Sequence, residues 1–336
     1  MGHDASELLA AAGQADHALV WNDVSVSPFG RRRPPPPTDE ERRAAEVDLE
    51  RVRQGGIPLG AEERLKRVAA ASTPFFTSDL TAKEYALAQA GGLQPVAQVM
   101  GSSVVHRGWI GGQGVYYTTG EIPALSEPWN LARGRAFDRL RQEAELAGAD
   151  GAIGIEITSG PLRETGAVEF VVFGTAVRDS TLPSQHRGPL GMCTLSGQEV
   201  DKLRRIGADV CGVVGHTTVL SVQLGMNSSW VMNAGGMFGG GARMNTEITE
   251  IAQGVYEARD RAMAEVRRQG NAVRANSIVI STLRHSIEHY EYEQAGYRYH
   301  YFHVTMHVLG TAIRLGAREP HPMPLSGPVM SINLGA

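Results

Sequence analysis

An internal repeat constrains the fold of this chain more than any other feature of its sequence. The stretch 131–157, LARGRAFDRLRQEAELAGADGAIGIEI, returns in degenerate form at 257–280 as EARDRAMAEVRRQGNAVRANSIVI. Both copies contain the segment Ala-Arg-x-Arg-Ala, starting at Ala132 and at Ala258, and each runs for about three helical turns. An Ala-Asp or Ala-Asn step then opens an apolar strand rich in β-branched residues. The sequence therefore predicts two fused copies of one α/β unit.

Shorter segments around the long helix repeat in the same order. A Thr or Ser followed three residues later by Glu has the spacing of a capping box, which starts a short helix. A Val-rich strand follows, and each copy closes on a strand that ends Gly-Thr-Ala. The matching segments are Thr81–Glu84 and Ser196–Glu199, 95–104 and 210–219, and Gly174–Ala176 and Gly310–Ala312. Each copy is predicted as a short helix, a strand, a Gly-rich loop, a long helix and a hairpin of two strands.

The ends of the long helices and of the hairpin strands can also be predicted. Ser126, with Pro128 in the opening turn, is expected to cap the first long helix, and Thr246 is expected to cap the second. Gly148 is expected to end the first of these helices. The hairpin strands are predicted at 152–158 and 168–178, and at 277–292 and 297–315.

Residues 1–72 differ in character from the rest of the chain. Four prolines follow three arginines at Pro34–Pro37, and successive prolines, which lack amide hydrogens, form an extended linker. Thr38 and Glu41 then have capping-box spacing before a helix with a thin apolar stripe. We expect a helical and Pro-rich, partly disordered N-terminal extension, in which the proline tract is a solvated linker or a docking peptide.

Composition narrows the possible partners and the compartment. The chain has 336 residues, of which 42% are hydrophobic and 20% charged, with a net charge of −4. Nucleic acid is not an expected partner, because nucleic-acid binders usually carry a basic excess on one face. Cys193 and Cys211 form neither a disulfide framework nor a CxxC metal knuckle, which favours core packing in a reducing compartment. No signal peptide and no apolar run of about 20 residues occurs, so we expect a cytoplasmic protein without a membrane span.

The repeated motifs resemble those of the YbjQ-like family, which is described as a domain of unknown function or as a heavy-metal-binding domain. The resemblance rests on the Ala-Arg-x-x-Ala helix, on Gly-Ala-Asp-Gly-Ala-Ile-Gly at 148–154, on Gly174-Thr175-Ala176, and on the first strand at 93–104. It implies an α+β fold of two tandem dodecin-like β-α-β-β units, each preceded by a short helix. It also implies assembly as a homo-oligomeric ring, which is a pentamer in the single-domain relatives.

The resulting domain prediction has four parts. They are the extension 1–72, a first YbjQ-like domain at 73–183, a second at 190–317 and a C-terminal tail at 318–336. The second copy departs from the family pattern, because Arg274-Ala275-Asn276 replaces the Gly-Ala-Asp step and its hairpin is longer and rich in histidine.

One segment of the second hairpin matches the consensus of an enzyme motif. His285–His289 reads H-x-x-E-H, as in inverted zinc peptidases. That motif needs a helix, where residues four apart share one face, whereas a strand would hold the two histidines ~13 Å apart. A metallopeptidase is therefore only the third candidate function.

A metal site across the same hairpin is the second candidate. If the turn lies at Ala295–Gly296, Glu291 faces His300 and Glu288 faces His303, and imidazole with carboxylate can hold Zn²⁺, Ni²⁺ or copper. The candidate ligands are His285, His289, His300, His303 and His307. These residues and the neighbouring tyrosines also fit the polar and aromatic face of a protruding ribbon.

The two Gly-rich loops are candidate contact surfaces. Met-rich loops adapt to irregular apolar partners, although thioethers also suit Cu(I). We expect contacts with other copies or with a protein partner through Trp109, Tyr116, Tyr117, Met226, Trp230, Met232, Met237 and Phe238. The N-terminal extension is a further candidate surface for a protein partner.

No motif in the sequence describes a reaction in the required context. A phosphate-binding loop, a dinucleotide fingerprint and a nucleophile elbow are all missing from it. The leading hypothesis is therefore a non-enzymatic homo-oligomeric ring scaffold or binding protein. The alternative is a metal-ion-binding protein that uses the second hairpin, with a divalent metal ion as its cofactor.

Overall fold

The computed structural model describes residues 38–70, 80–107, 119–162, 165–180, 191–225, 228, 247–294, 296–317 and 319. The chain divides into two compact units, Met1–Ala45 and Glu46–Ala336. In the first unit, the predicted capping box is confirmed, because the Glu41 amide donates to Thr38 Oγ1 at 3.2 Å and the Thr38 amide donates to Glu41 Oε2 at 2.6 Å. All packing described below lies within the second unit.

The described residues form a mixed α+β architecture, as expected, with one helix and two short strands that the sequence did not predict. The helices are α1 (Asp39–Arg53), α2 (Leu59–Ala70), α3 (Ala82–Ala90), α4 (Pro123–Leu146), α5 (Gly197–Arg205) and α6 (Thr249–Ala272). The strands are β1 (Leu93–His106), β2 (Gly120–Glu121), β3 (Gly151–Leu162), β4 (Ala167–Asp179), β5 (Gly191–Met192), β6 (Asp209–Gln223), β7 (Ser277–Gln294) and β8 (Tyr297–Arg314). No helix in these ranges is both long and apolar enough to cross a bilayer.

The strands form two sheets with equivalent central ladders. The first sheet has the order β1-β4-β3-β5, and the second has the order β2-β6-β8-β7. In each, the closing strand lies antiparallel between the first strand and its hairpin partner. The registers also correspond, since Gly174 lies opposite Val99 in the first sheet and Gly310 lies opposite Val214 in the second.

The two short helices α3 and α5 begin as predicted. Glu84 N donates to Thr81 Oγ1 at 3.3 Å, and Glu199 N donates to Ser196 Oγ at 3.4 Å. In both helices the Glu side chain also accepts a hydrogen bond from the amide of the capping residue, at 2.9 and 2.8 Å. These reciprocal bonds satisfy backbone donors that the first turn of a helix leaves unpaired.

The predicted caps of the two long helices need correction. Ser126 lies inside α4, which begins at Pro123 after Ile122, and α6 begins at Thr249 after Ile248. The reason is a tertiary contact, because the Ile122 amide donates to the Val219 carbonyl at 2.9 Å and so sets where the chain turns into α4. Thr246 lies outside the described residues.

The core of the first half forms between α4 and the first sheet. Ala132 and Ala136 are fully buried, and a Cβ at Gly101 would lie 1.8 Å from the Ala136 carbonyl oxygen. Small residues on both surfaces therefore let the helix and the strand approach closely. The second half repeats this arrangement with Ala258 and Ala262 of α6, which are also fully buried.

Part of the N-terminal extension packs onto the first sheet. Leu65 of α2 and Ile57 are buried in one cluster with Ala97 and Ala147. Arg64 extends from α2 to the buried Glu143 carboxylate at 3.1 Å, and this carboxylate also accepts from the Met100 amide at 2.9 Å. The edge of β1 at this level is therefore closed by side chains.

Both cysteines are free, as expected from their spacing. Cys193 is buried, and burial raises the pKa of its thiol to about 12. Cys211 is only partly buried. Cys193 behaves as the small core residue predicted from the sequence.

Candidate functional site

The first candidate site is the seam between the two halves, which we define as residues 80–180 and 191–317. Each half contributes a short strand to the sheet of the other half. Strand β2 of the first half pairs antiparallel with β6, and β5 of the second half pairs parallel with β3. The two sheets are thus extended by reciprocal exchange of edge strands.

Helix α4 lies along the outer edge of β6 and forms hydrogen bonds with its backbone. The Val219 amide donates to Ser126 Oγ at 2.9 Å, in addition to the bond from Ile122. The Asn130 amide group donates to the Thr217 carbonyl at 2.9 Å, and its Oδ1 accepts from the Thr217 amide at 2.9 Å. Side chains of α4 therefore satisfy the edge of β6 in place of a neighbouring strand.

A second contact places α5 against the first sheet. Leu195 and Val200 are buried in one cluster with Ile153 and Val177 of the first sheet and with Ala88 of α3. A Cβ at Gly197 would lie 2.7 Å from the Ala88 Cβ, so α3 and α5 are in close contact. The start of the second half is thus part of the core of the first.

The same surfaces recur at the outer ends of the chain without a cover. On β1, the side chain of Val104, the equivalent of Val219, is 52% exposed. On α6, Tyr256 is 62% exposed, and it stands two residues before the Ala-Arg-x-Arg-Ala segment, where α4 has Asn130. The matching surfaces are therefore occupied at the seam and exposed at the two ends.

The residues predicted to contact partners from the Gly-rich loops lie outside the described residues. They are Trp109, Tyr116, Tyr117, Met226, Trp230, Met232, Met237 and Phe238. Their role stays a prediction. The residues that form the seam, above all Asn130 and Val219, carry no motif, and nothing in their local sequence could have identified them.

The second candidate site lies on the hairpin of β7 and β8. Glu291 lies opposite His300, and Glu288 lies opposite His303, in the register predicted from the sequence. His289 Nε2 lies 3.0 Å from His300 Nδ1. Glu291 Oε1 lies 3.5 Å from His300 Nδ1 and 3.8 Å from His289 Nε2. We call these three residues the hairpin cluster.

These distances fit a metal ion. Zinc binds imidazole nitrogen and carboxylate oxygen at ~2.0–2.2 Å in a tetrahedron, which separates neighbouring ligand atoms by roughly 3.3–3.5 Å. His300 is 3% exposed, and burial lowers its pKa even though the Glu291 carboxylate acts in the opposite direction. A neutral imidazole keeps a lone pair for a metal at neutral pH. The cluster could hold an ion with three protein ligands.

The other three predicted histidines lie apart from this cluster. His307 packs edge-on against Trp129 with ring centroids 4.8 Å apart, and its Nδ1 lies 2.9 Å from Thr217 Oγ1. His303 is buried beside the Tyr290 ring, and His285 is exposed on β7. The H-x-x-E-H segment is extended in β7, so His285 and His289 do not share the helical face that a zinc peptidase uses.

Comparison with known proteins places the chain among its relatives. The model of a family described as "Putative heavy-metal-binding" matches residues 96–180. A Mycobacterium tuberculosis protein named "Encapsulin nanocompartment protein Rv1762c" is 33% identical over 211 residues, which cover 61% of this chain and 76% of that protein.

Shorter relatives match a smaller part of the chain. Proteins named UPF0145 from Halorubrum lacusprofundi and Methanococcus vannielii are 42% and 44% identical over 59 residues. These matches span 18% and 17% of this chain and 56% and 54% of the relatives, which is little more than half their length. No solved structure matches the chain. The family model and the coverage of the mycobacterial relative together show that this chain belongs to the YbjQ-like family.

Proposed function

We propose that this protein is a non-enzymatic scaffold that assembles with copies of itself into a closed ring in the cytoplasm. Each chain contributes two tandem dodecin-like units of the YbjQ type, 73–183 and 190–317. The equivalent strand order and register of the two sheets support this interpretation. In this proposal the tail 318–336 lies outside the two units, and the extension 1–72 adds to the first unit the helix α2, whose Leu65 is buried with Ala97.

The observation that carries the proposal is the seam. It joins two different surfaces. One consists of β2 and the side of α4 that carries Ser126 and Asn130, and the other is the outer edge of β6. A head-to-tail interface of this kind repeats from copy to copy and closes into a ring when the rotation permits. The exposed surface of α6 is equivalent to that of α4, and the exposed surface of β1 is equivalent to that of β6. In the proposed ring, α6 of one chain therefore contacts β1 of the next chain.

The relatives support self-assembly of this kind. The mycobacterial relative is named as a nanocompartment protein, and the names of the three relatives described above state no enzymatic activity. In our proposal, the partner of each chain is therefore another copy, with five chains as the preferred number. The Gly-rich loops and the N-terminal extension are secondary contact regions.

The assembly is tested by mass photometry and native mass spectrometry of the full chain at about 1 μM. A single species at an integer multiple of the chain mass, stable on dilution, is the expected result, and five copies would support the pentamer. A monomer would overturn the proposal. An open ladder of sizes that never closes would contradict the ring.

A second function is favoured by the hairpin cluster. We propose that His289, Glu291 and His300 hold one divalent ion, Zn²⁺ or Ni²⁺, or a copper ion. Their ligand atoms all lie within 4.8 Å of one another, and the description of the matching family supports metal binding. No peptidase activity is proposed, since two of these three ligands lie outside the H-x-x-E-H segment.

Metal binding is tested by native mass spectrometry after separate incubation with Zn²⁺, Ni²⁺ and Cu⁺. We expect one ion per chain, and we expect Glu291→Gln and His289→Ala to lose it. His285→Ala is the matched control, because His285 is an exposed histidine on the same strand outside the cluster. Equal metal content in all three variants would exclude this site.

A further inference from the structure

A cavity of about 210 Å³ lies between the two halves, beside α4 and apart from the hairpin cluster. Residues of both sheets and of α4 line it, among them Arg107, Trp129, Ser159, Arg284, His303 and His307. A smaller cavity of about 80 Å³ shares Ser159, Arg284 and His307 with it and adds Arg133. A water molecule occupies ~30 Å³ in the liquid, so the larger cavity has room for a small organic molecule.

Three guanidinium groups lie along these two cavities. Among the described residues, Arg107, Arg133 and Arg284 have no ion pair with a carboxylate. Arg107 Nε donates to the Gly166 carbonyl at 3.3 Å, and Arg133 donates to the Asn130 side-chain oxygen at 2.7 Å. Both acceptors are neutral, so neither hydrogen bond compensates the positive charge of its guanidinium group. Burial lowers the pKa of Arg133 to about 10, which reflects the unfavourable environment of this cation.

The nearby carboxylates offset only part of this charge. Glu288 lines the larger cavity and accepts the Tyr290 hydroxyl at 2.6 Å, and its single negative charge offsets only one of the two cations there, Arg107 and Arg284. Glu265, whose charge acts on Arg133, is held by Arg268 at 2.5 Å. The two buried histidines in the wall add no charge at neutral pH, because burial lowers the pKa of His303 and brings that of His307 to about 4. The cavities therefore keep an excess of positive charge.

One wall of the larger cavity is apolar. Trp129, Leu125 and Val219 line it, and all three are buried in the core of the seam. A guanidinium group forms two parallel hydrogen bonds with a carboxylate or a phosphate, and an indole provides a flat apolar surface. We propose that this cavity binds one small organic oxyanion, with its charged end on Arg107 and Arg284 and its apolar part on Trp129.

Organic oxyanions include carboxylates and phosphates, and titration with examples of both shows which of them the cavity binds. Full-length protein in Tris chloride buffer is titrated by calorimetry with benzoate, acetate and inorganic phosphate. We expect one site per chain, and we expect benzoate to bind at least about tenfold more tightly than acetate, because its ring buries apolar area on Trp129. Tighter binding of phosphate than of benzoate would identify a phosphate as the source of the anion.

Variants locate the site. Arg284→Gln and Arg107→Gln should each weaken binding about tenfold, since each removes charge-assisted hydrogen bonds to the anion. Arg314→Gln is the matched control, because Arg314 is an exposed arginine in β8 that does not line the cavity. Thermal melts of the three variants verify that they are folded.

Two outcomes would overturn the proposal. One is the absence of binding for all three probes at concentrations up to about 10 mM, because a specific site should have a dissociation constant below this value. The other is equal weakening, or none, in Arg284→Gln, Arg107→Gln and Arg314→Gln. Equal affinities for acetate and benzoate would refute the role of Trp129.

Discussion

Val104 and Val219 occupy the same place in two equivalent strands, yet Val104 is 52% exposed and Val219 is 3% exposed. Each lies five residues beyond the valine that faces the Gly-Thr-Ala strand end. The difference comes from α4 of the first half, which covers Val219 through Ile122 and Ser126. In the proposed ring, the exposed position on β1 is the place where a second chain binds.

Val104→Glu should break the assembly without unfolding the chain. A charge at an exposed site has little effect on the isolated chain, whereas it would be buried without a partner in the proposed interface. Mass photometry should show a shift to single chains or short fragments of the ring, with an unchanged far-ultraviolet circular dichroism spectrum. Val47→Glu, at a similarly exposed valine on α1, is the control and should keep the assembly. Intact rings in Val104→Glu would exclude β1 as the contact surface.

Asn130→Ala should weaken the seam within one chain. The change removes both hydrogen bonds between Asn130 and the Thr217 backbone, and leaves the amide and carbonyl of Thr217 without this partner. Unsatisfied buried groups of this kind destabilise a protein by ~1–3 kcal/mol. Urea unfolding measures the change, and Asn271→Ala on the exposed face of α6 should stay within about 0.5 kcal/mol of the parent. An unchanged midpoint for Asn130→Ala would contradict this account of the seam.

Two glycines of the first half should respond in opposite ways to alanine. A Cβ at Gly101 would lie 1.8 Å from the Ala136 carbonyl oxygen, so Gly101→Ala must push α4 away from β1. We expect a loss of ~3 kcal/mol or more in the free energy of unfolding. Gly134 is exposed within α4, and its Cβ would meet nothing within 4 Å, so Gly134→Ala should stabilise by roughly 0.5–1 kcal/mol. Chemical denaturation of both variants tests the pair, and similar values would refute the packing.

The stability of the chain should fall as the pH is lowered from about 6.5 to about 4. Burial, with the charges of Arg133 and Arg284, brings the pKa of His307 from 6.5 to about 4. In this window the unfolded chain binds a proton that the folded chain does not, so unfolding becomes easier as the pH falls. The contribution of His307 is present above about pH 6.5 and amounts to at most about 3 kcal/mol.

The His307→Gln variant separates this effect from that of other groups. His216, His300 and His303 also have lowered pKa values, so the parent protein should show a combined slope. Urea unfolding at several pH values should give a shallower slope for His307→Gln between about pH 4 and 6.5. Identical slopes would show that His307 is not held neutral by its surroundings.

Several features could be predicted because they depend on neighbours in the chain. The capping boxes at Thr81 and Ser196 require only a hydroxyl and a Glu three residues later. The register of the second hairpin follows from its turn, so Glu291 and His300 could be placed opposite each other. The start of α4 could not be predicted in this way, since the contact of Ile122 with Val219 joins residues about a hundred positions apart.

The sequence alone determined the repeated order of helices and strands, their short-range caps, the pairing of the second hairpin and the family. Periodicity, turn chemistry and capping each depend on residues that are close together in the sequence, so they can be predicted from a short segment. Only the tertiary structure decided that β2 and β5 are exchanged between the sheets, that α4 covers Val219, and that three arginines line one seam. These features arise from burial and backbone pairing between distant segments, and the local sequence around each of them is compatible with other arrangements.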